Sequence, residues 1–159
     1  MGTRILWIFI AALSLTFVSA QEQEAHPKPD QAELEKRFKD QLTDCVFDGH
    51  WCMVQEGKLS EENSEKYSIT SATKSGQDVW IIYAKMQFRG KEVSVPVPVQ
   101  VKWAGDTPVI TLDKVTIPGM GTYSARVLVY EKTYAGTWSA GDHGGMLHGL
   151  IKKKESRTE

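Results

Sequence analysis

The chain has 159 residues, with 19 basic and 20 acidic side chains, so its formal net charge at pH 7 is −1. This balance gives no electrostatic reason to expect a nucleic acid partner, because proteins that bind nucleic acids present an excess of Lys and Arg to the phosphates. The length suits one folded domain.

The first twenty residues have the features of a signal peptide for export. Arg4 supplies a positive charge, residues 5–18 form an apolar run too short to span a membrane, and residues 18–20 resemble a signal peptidase site. We therefore expect cleavage before Gln21 and no membrane span afterwards. The mature protein is expected in the periplasm or outside the cell.

A flexible polar leader at residues 21–29 and a short helix at residues 30–42 are predicted next. Asp30 has the side chain of a helix N-cap, and Glu33 three residues later completes a capping pattern. One face of the helix carries the apolar residues Ala32, Leu34, Phe38 and Leu42. Because so narrow a face cannot build a core, we expect the helix to plug or lean on the domain that follows.

Residues 43–152 form the predicted main domain, in which apolar and polar residues alternate with period two. Short turns separate eight or nine such segments, and turns of this length join antiparallel neighbours. The pattern predicts an all-β fold, a single antiparallel up-and-down β-barrel of about eight strands with one short N-terminal helix. Residues 153–159 are predicted to be a flexible tail.

Residues 91–103 form the clearest strand, and its two prolines predict where the barrel is split. Alternate residues of a strand point their N–H groups toward the same neighbour, and proline has no N–H. Pro96 and Pro98 therefore remove two successive ladder donors from one side of the strand. We predict a local gap in the sheet beside residues 95–99.

The two cysteines, Cys45 and Cys52, allow two interpretations. If Asp48 and Gly49 form a two-residue hairpin turn, the cysteines lie opposite each other within disulfide range. If residues 44–54 form one strand, the cysteines are seven positions apart and point to opposite faces, so no bridge can form. Export to an oxidising compartment is compatible with a disulfide.

The glycine-rich stretch of residues 134–151 is the predicted functional region. It brings Ser139, Asp142 and His143 close together in sequence, but no Gly-x-Ser-x-Gly pattern surrounds the serine. We therefore expect no catalytic residues, no cofactor and no enzymatic activity. The simplest interpretation is that Asp142 and His143 hydrogen-bond the backbone of a glycine-rich turn.

A metal site in this region would have to use His143 and His148. In a strand these positions face opposite sides, so a turn at residues 144–145 would be needed to bring the two together. A third ligand would come from His26 or His50. This spacing is unusual for a metal site, and no metal ligand is predicted.

Aromatic residues on the predicted inward faces suggest a ligand site instead. Trp80, Trp103 and Trp138 are the tryptophans concerned, with Asp142 and His143 as nearby polar groups. These five residues are the predicted ligand-binding residues. The alternative is that the aromatic side chains only fill the core. An eight-stranded barrel can be solid or can hold one small molecule.

Two resemblances bear on the fold and on export. Residues 136–138 (Gly-Thr-Trp) resemble the Gly-x-Trp element of lipocalin- and avidin-like barrels, which sits on their first strand and here lies near the last. Residues 103–112 (WAGDTPVITL), 119–128 (GMGTYSARVL) and 134–145 (YAGTWSAGDHGG) resemble a family of small exported bacterial proteins of unassigned function. The first implies a barrel, and the second implies export and a bacterial source. Neither identifies a site residue.

The sequence thus predicts an exported β-barrel that binds a small hydrophobic molecule without catalysis. Two alternatives remain open. The domain could serve as a structural or interaction module of the cell envelope without a ligand, or it could be a metal-binding enzyme that uses His143 and His148.

Overall fold

The computed structural model describes residues 29–88 and 91–154. The predicted signal peptide at residues 1–20, all but the last residue of the predicted leader, and residues 155–159 of the predicted tail lie outside this part of the chain. His26, one of the histidines considered as a metal ligand, lies outside it too.

One helix and nine strands follow one another along the described chain. Their bounds are α1 Gln31–Leu42, β1 Cys45–Gln55, β2 Lys58–Leu59, β3 Asn63–Lys74, β4 Val79–Phe88, β5 Lys91–Ala104, β6 Thr107–Ile117, β7 Gly121–Tyr130, β8 Thr133–Ala140 and β9 His143–Lys153.

The strands form a closed antiparallel barrel. β1 pairs with β3, each strand from β3 to β9 pairs with the next, and β9 pairs with β1 along nine residue pairs. The short strand β2 lies outside the ring and pairs only with the end of β1. This eight-stranded barrel with one short helix confirms the predicted fold class, because short turns between alternating segments allow only antiparallel neighbours.

Helix α1 covers one end of the barrel. Asp30 caps it, since its carboxylate accepts a hydrogen bond of 2.7 Å from the backbone N–H of Glu33, as predicted. Phe38 is 1% exposed and meets the rings of Trp80 and Trp103 edge to face, at centroid distances of 5.0 and 6.3 Å. Gln41 donates a hydrogen bond to the carbonyl of Glu131 in the β7–β8 turn. The helix is therefore a plug.

The prolines of β5 lie beside a gap in the sheet. β5 pairs with β4 from Lys91 to Gln100, but its pairing with β6 covers only Gln100 to Ala104. Val101 donates its N–H to the carbonyl of Asp78, the residue before β4, at 2.8 Å. The N–H groups of odd-numbered residues in β5 therefore face β4, and those of even-numbered residues face β6. Pro96 and Pro98 occupy two of these positions. The predicted gap is confirmed, and the missing donors explain it.

The two cysteines lie in a single continuous strand, β1, so the hairpin interpretation with a Cys45–Cys52 disulfide is wrong. Both thiols are free. Seven residues of strand separate their backbones by roughly 23 Å, and the side chains point to opposite faces. Cys45 lies under the helix end, where its thiol donates to the carbonyl of Leu42 at 3.4 Å, and burial raises its pKa to about 11.

The turn between the last two strands also differs from the prediction. It is formed by Gly141, with φ +61°, and Asp142, whereas Gly144 and Gly145 lie inside β9. Gly144 and Gly145 therefore do not reverse the chain, and the strand alternation continues through them. His143 and His148 therefore lie on one continuous strand, on its opposite faces.

Candidate functional site

The barrel is solid at the helix end and hollow at the other. Its largest fully buried side chains are Phe38 and Leu42 of the helix, together with Cys45, Val101 and Val129. The other half encloses a cavity of about 480 Å³. Residues from all eight barrel strands line it, and they are mainly apolar. Its inner wall includes Phe47, Ile69, Ile82, Val97, Val99 and Ile110.

A row of two glycines makes room for an aromatic ring inside this cavity. Tyr134, Gly149, Gly49 and Glu65 lie side by side on four neighbouring strands, β8, β9, β1 and β3. A Cβ on Gly49 would lie 2.5 Å from the Tyr134 hydroxyl, and one on Gly149 would lie 2.7 Å from the ring. The tyrosine ring therefore crosses both strands, and only glycine leaves it the space.

The hydroxyl group of Tyr134 contacts a buried acid, Glu65. Tyr134 donates a hydrogen bond of 2.8 Å to one carboxylate oxygen of Glu65, and Tyr67 donates one of 2.9 Å to the other. Glu65 is 8% exposed and lines the cavity. Burial raises the pKa of the Glu65 carboxyl, although the two tyrosine hydroxyls and the nearby His148 act in the opposite direction.

Burial also raises the pKa values of Tyr67 and Tyr134, and the neighbouring Glu65 carboxylate raises them further because it would repel a phenolate. Both hydroxyls therefore stay protonated and act as hydrogen-bond donors. Each oxygen of the Glu65 carboxylate can accept more than one hydrogen bond. The wall of an otherwise apolar cavity thus carries one oriented polar group that has acceptor capacity left.

Two tryptophans and a histidine lie at the end of the cavity away from the helix. The ring of Trp138 meets Trp51 and His143 edge to face, at centroid distances of 5.6 and 5.7 Å. The Nε1–H of Trp138 is buried and has no acceptor among the described residues. Leaving such a donor unpaired costs about 1–3 kcal/mol, so it is a natural partner for an acceptor on a bound molecule. Gly145 lies opposite Trp138, and the backbone of Cys52 occupies the space that a side chain at position 145 would need.

The structure brings together two of the five predicted ligand-binding residues, Trp138 and His143. Trp80 and Trp103 do not line this cavity, because they pack against Phe38 of the helix at the other end of the barrel. Their role in ligand binding stays a prediction. Asp142 does not line the cavity either. Its side chain is fully exposed on the turn and contacts His143 at 3.2 Å, which holds its pKa below the usual value.

The residues that sequence reasoning missed are Glu65, Tyr67 and Tyr134. One signal was present, since Glu65 has the same strand phase as the inward-facing Tyr67 and Ile69. An acid in an inward phase requires partners. Tyr134 could not be paired with it, because the two are 69 residues apart and their row exists only after the barrel closes.

His143 and His148 lie on opposite faces of β9, five residues apart, so they cannot bind the same ion. His143 lines the cavity, while His148 lies on the outer wall opposite His50 of β1. On that wall His50, His148 and Glu62 form a different cluster, in which ligand atoms lie within 4.8 Å of one another.

Comparisons with protein-family models, with curated proteins and with solved structures find no match to this chain. The helix in the described residues falls short of the length and apolarity that a membrane crossing requires.

Proposed function

We propose that this protein is an exported, non-enzymatic binding protein that holds a small, mainly apolar molecule inside its barrel. The observation that carries the proposal is the hollow half of the barrel, a cavity of about 480 Å³ with a mainly apolar and aromatic wall. Ligand sites in proteins have volumes of roughly 300–1,000 Å³ and combine apolar walls with a few polar groups.

The polar groups of the cavity suggest what the ligand carries. Glu65 accepts hydrogen bonds from Tyr67 and Tyr134 and can still accept another, from a hydroxyl or an amine of the ligand. At the end away from the helix, the buried Nε1–H of Trp138 would donate to an acceptor. We therefore expect an apolar body with hydrogen-bonding groups toward its ends.

Export belongs to the same proposal. It is supported by the charge, length and small terminal residues of residues 1–20 and by the resemblance to small exported bacterial proteins. A ligand-binding barrel in the periplasm or outside the cell would capture its molecule without any contribution from a cofactor.

The experiment compares two alanine-to-phenylalanine variants, one inside the barrel and one outside. Ala125 lines the cavity in register with Trp138, whereas Ala135 is exposed on the outer face of the next strand. We expect a hydrophobic fluorescent probe to quench or shift the emission of wild-type tryptophans. Ala125→Phe should weaken this binding about tenfold or more, because the new ring occupies the cavity, and Ala135→Phe should bind like the wild type.

Equal weakening in the two variants, or equal binding by both, would assign the probe to the surface and overturn the proposal. Circular dichroism of both variants would show that each retains the barrel.

A second candidate function, an envelope interaction domain without a ligand, has support from the outer face. Leu128, Tyr130, Met146 and Leu150 are 41–54% exposed there, on β7 and β9. These two strands flank β8, and apolar side chains exposed close together on one face are typical of a contact surface. Probe binding that responds to Ala135→Phe and not to Ala125→Phe would favour this candidate.

A further inference from the structure

The seam that closes the barrel carries two histidines on its outer wall. β1 and β9 are the first and last strands of the ring, and His50 and His148 are direct partners across them. Their inward-facing neighbours in the chain, Gly49 and Gly149, lie under Tyr134. Strand alternation therefore places both imidazoles outside, on the opposite side of the wall from the cavity.

An acid completes the group. Glu62 immediately precedes β3, and its Oε1 lies 3.7 Å from Nε2 of His148. The loop that carries it is tied to β1 through Ser60, whose hydroxyl accepts from the N–H of Met53 and whose N–H donates to the Met53 carbonyl, each at 2.9 Å. The acid is thus held beside the histidine pair by hydrogen bonds of its own loop.

The distances suit a metal ion. The two imidazole rings are 6.1 Å apart between centroids, and one ligand atom from each of the three side chains lies within 4.8 Å of the others. Tetrahedral zinc bonds of 2.0–2.1 Å place neighbouring ligand atoms roughly 3.4 Å apart, so small side-chain rotations suffice. All three side chains are exposed, so each can make such a rotation.

We propose that His50, Glu62 and His148 bind one divalent transition-metal ion of the zinc class and that the ion clamps the seam of the barrel. Two imidazoles and a carboxylate are a donor set that zinc prefers, and three protein ligands leave a fourth position for water. The ion would link β1, β9 and the loop before β3.

This site is independent of the proposed cavity function. It lies on the outer face, and it uses His148 rather than the cavity residue His143. Loss of metal binding would leave the cavity proposal standing, and a failed probe titration would leave the metal proposal standing.

The test is a zinc titration of untagged protein, by calorimetry or by competition with a chromogenic chelator. We expect one zinc ion per chain. His50→Ala and His148→Ala should each weaken zinc binding by about tenfold or more, and Glu62→Gln should also weaken it. Two matched controls should keep the wild-type zinc affinity: Glu61→Gln, at the neighbouring acid, and His143→Ala, on the inner face of β9.

Thermal denaturation gives a second readout. Zinc should raise the melting temperature of the wild type and should leave that of His148→Ala unchanged, because a ligand that binds only the folded state stabilises it. With chelator present the two proteins should melt alike, since His148 is exposed.

Three outcomes would overturn the proposal. The first is the absence of stoichiometric zinc binding up to about 100 μM. The second is wild-type zinc affinity in His50→Ala and His148→Ala. The third is loss of binding in Cys52→Ser with full binding in His148→Ala, which would assign the ion to a thiol.

Discussion

At the scale of single residues, glycines decide where the cavity has its polar group. Gly49 and Gly149 lie side by side on the two strands that close the barrel, and the ring of Tyr134 rests on both. The ring reaches Glu65 only because no side chain intervenes. A glycine in a strand usually weakens it, and here the aromatic ring covers the exposed backbone.

Gly149→Ala should therefore destabilise the fold. The new Cβ would lie 2.6 Å from the Asp48 carbonyl and 2.7 Å from the Tyr134 ring, so the strand and the ring must both shift. We expect a loss of about 1–3 kcal/mol in the free energy of unfolding, measured by urea denaturation.

Gly76→Ala is the matched control for this loss. Its Cβ would meet only the side chain of Val79, at 3.6 Å or more, so its free energy of unfolding should stay within about 0.5 kcal/mol of the wild type. Equal stability of Gly149→Ala and Gly76→Ala would contradict the described packing of Tyr134.

At the scale of elements, α1 determines which half of the barrel is hollow. Its amphipathic face carries Leu34, Phe38 and Leu42 into one end. Trp80 and Trp103 pack on this face and do not line the cavity. The same helix buries Cys45 at the start of β1.

Phe38→Ala should detach or loosen this plug. Removing a fully buried phenylalanine costs about 3–5 kcal/mol, and the loss exposes Trp80 and Trp103 to water. We expect a lower urea midpoint and a red shift of the tryptophan emission.

Lys39→Ala, at the next and exposed position of the helix, should change neither the urea midpoint nor the emission. If Phe38→Ala does not fold, Phe38→Leu should show a smaller decrease of the urea midpoint and a smaller red shift of the tryptophan emission. Emission unchanged in both Phe38 variants would contradict the plug.

Two strand irregularities also belong to this scale, the gap beside β5 and the register shift in β6, and local sequence signals account for both. Pro96 and Pro98 remove N–H donors on the side of β5 where the pairing with β6 stops. In β6 the apolar phase shifts between Leu112 and Val115, and the pairing register shifts there too, with Lys114 at φ +50°. Both features follow from covalent geometry or strand phase within a few residues, and they need no distant contact.

At the scale of the whole molecule, the buried Glu65 makes stability depend on pH. Its pKa is raised in the folded state, chiefly by burial, so the folded chain binds more protons than the unfolded chain above the ordinary carboxyl pKa. The contribution of Glu65 to stability is therefore fully present below about pH 4.5 and falls as pH rises through its folded-state pKa.

Glu65→Gln should remove this fall, because an amide does not titrate. We expect the free energy of unfolding of the variant, relative to the wild type, to improve as pH rises from about 4 to 7. The exposed acids paired with lysines, such as Asp48 with Lys152, show the opposite trend, but they are common to both proteins and cancel in the difference.

Glu61→Gln, at an exposed position, should show no such pH-dependent difference from the wild type. A pH-independent difference for Glu65→Gln would mean that the acid is not desolvated in the folded state.

The sequence by itself determined the fold class, the capped helix, the alternation of inward and outward residues, and the gap beside Pro96 and Pro98. These features depend on strand periodicity, turn length and the missing N–H of proline, all of which act within one or two elements. Trp138 and His143, which line the cavity, were also singled out, because a glycine-rich composition and strand phase are local signals.

Only the tertiary structure decided the rest. The pairing of Tyr134 with Glu65, the meeting of His50 with His148, and the removal of Trp80 and Trp103 from the cavity depend on closing β9 against β1 and on seating α1 in one end. Such contacts join segments far apart in the chain, and their register is set by the ring as a whole. Local periodicity shows which face a residue is on, and only the closed barrel shows which residue it meets.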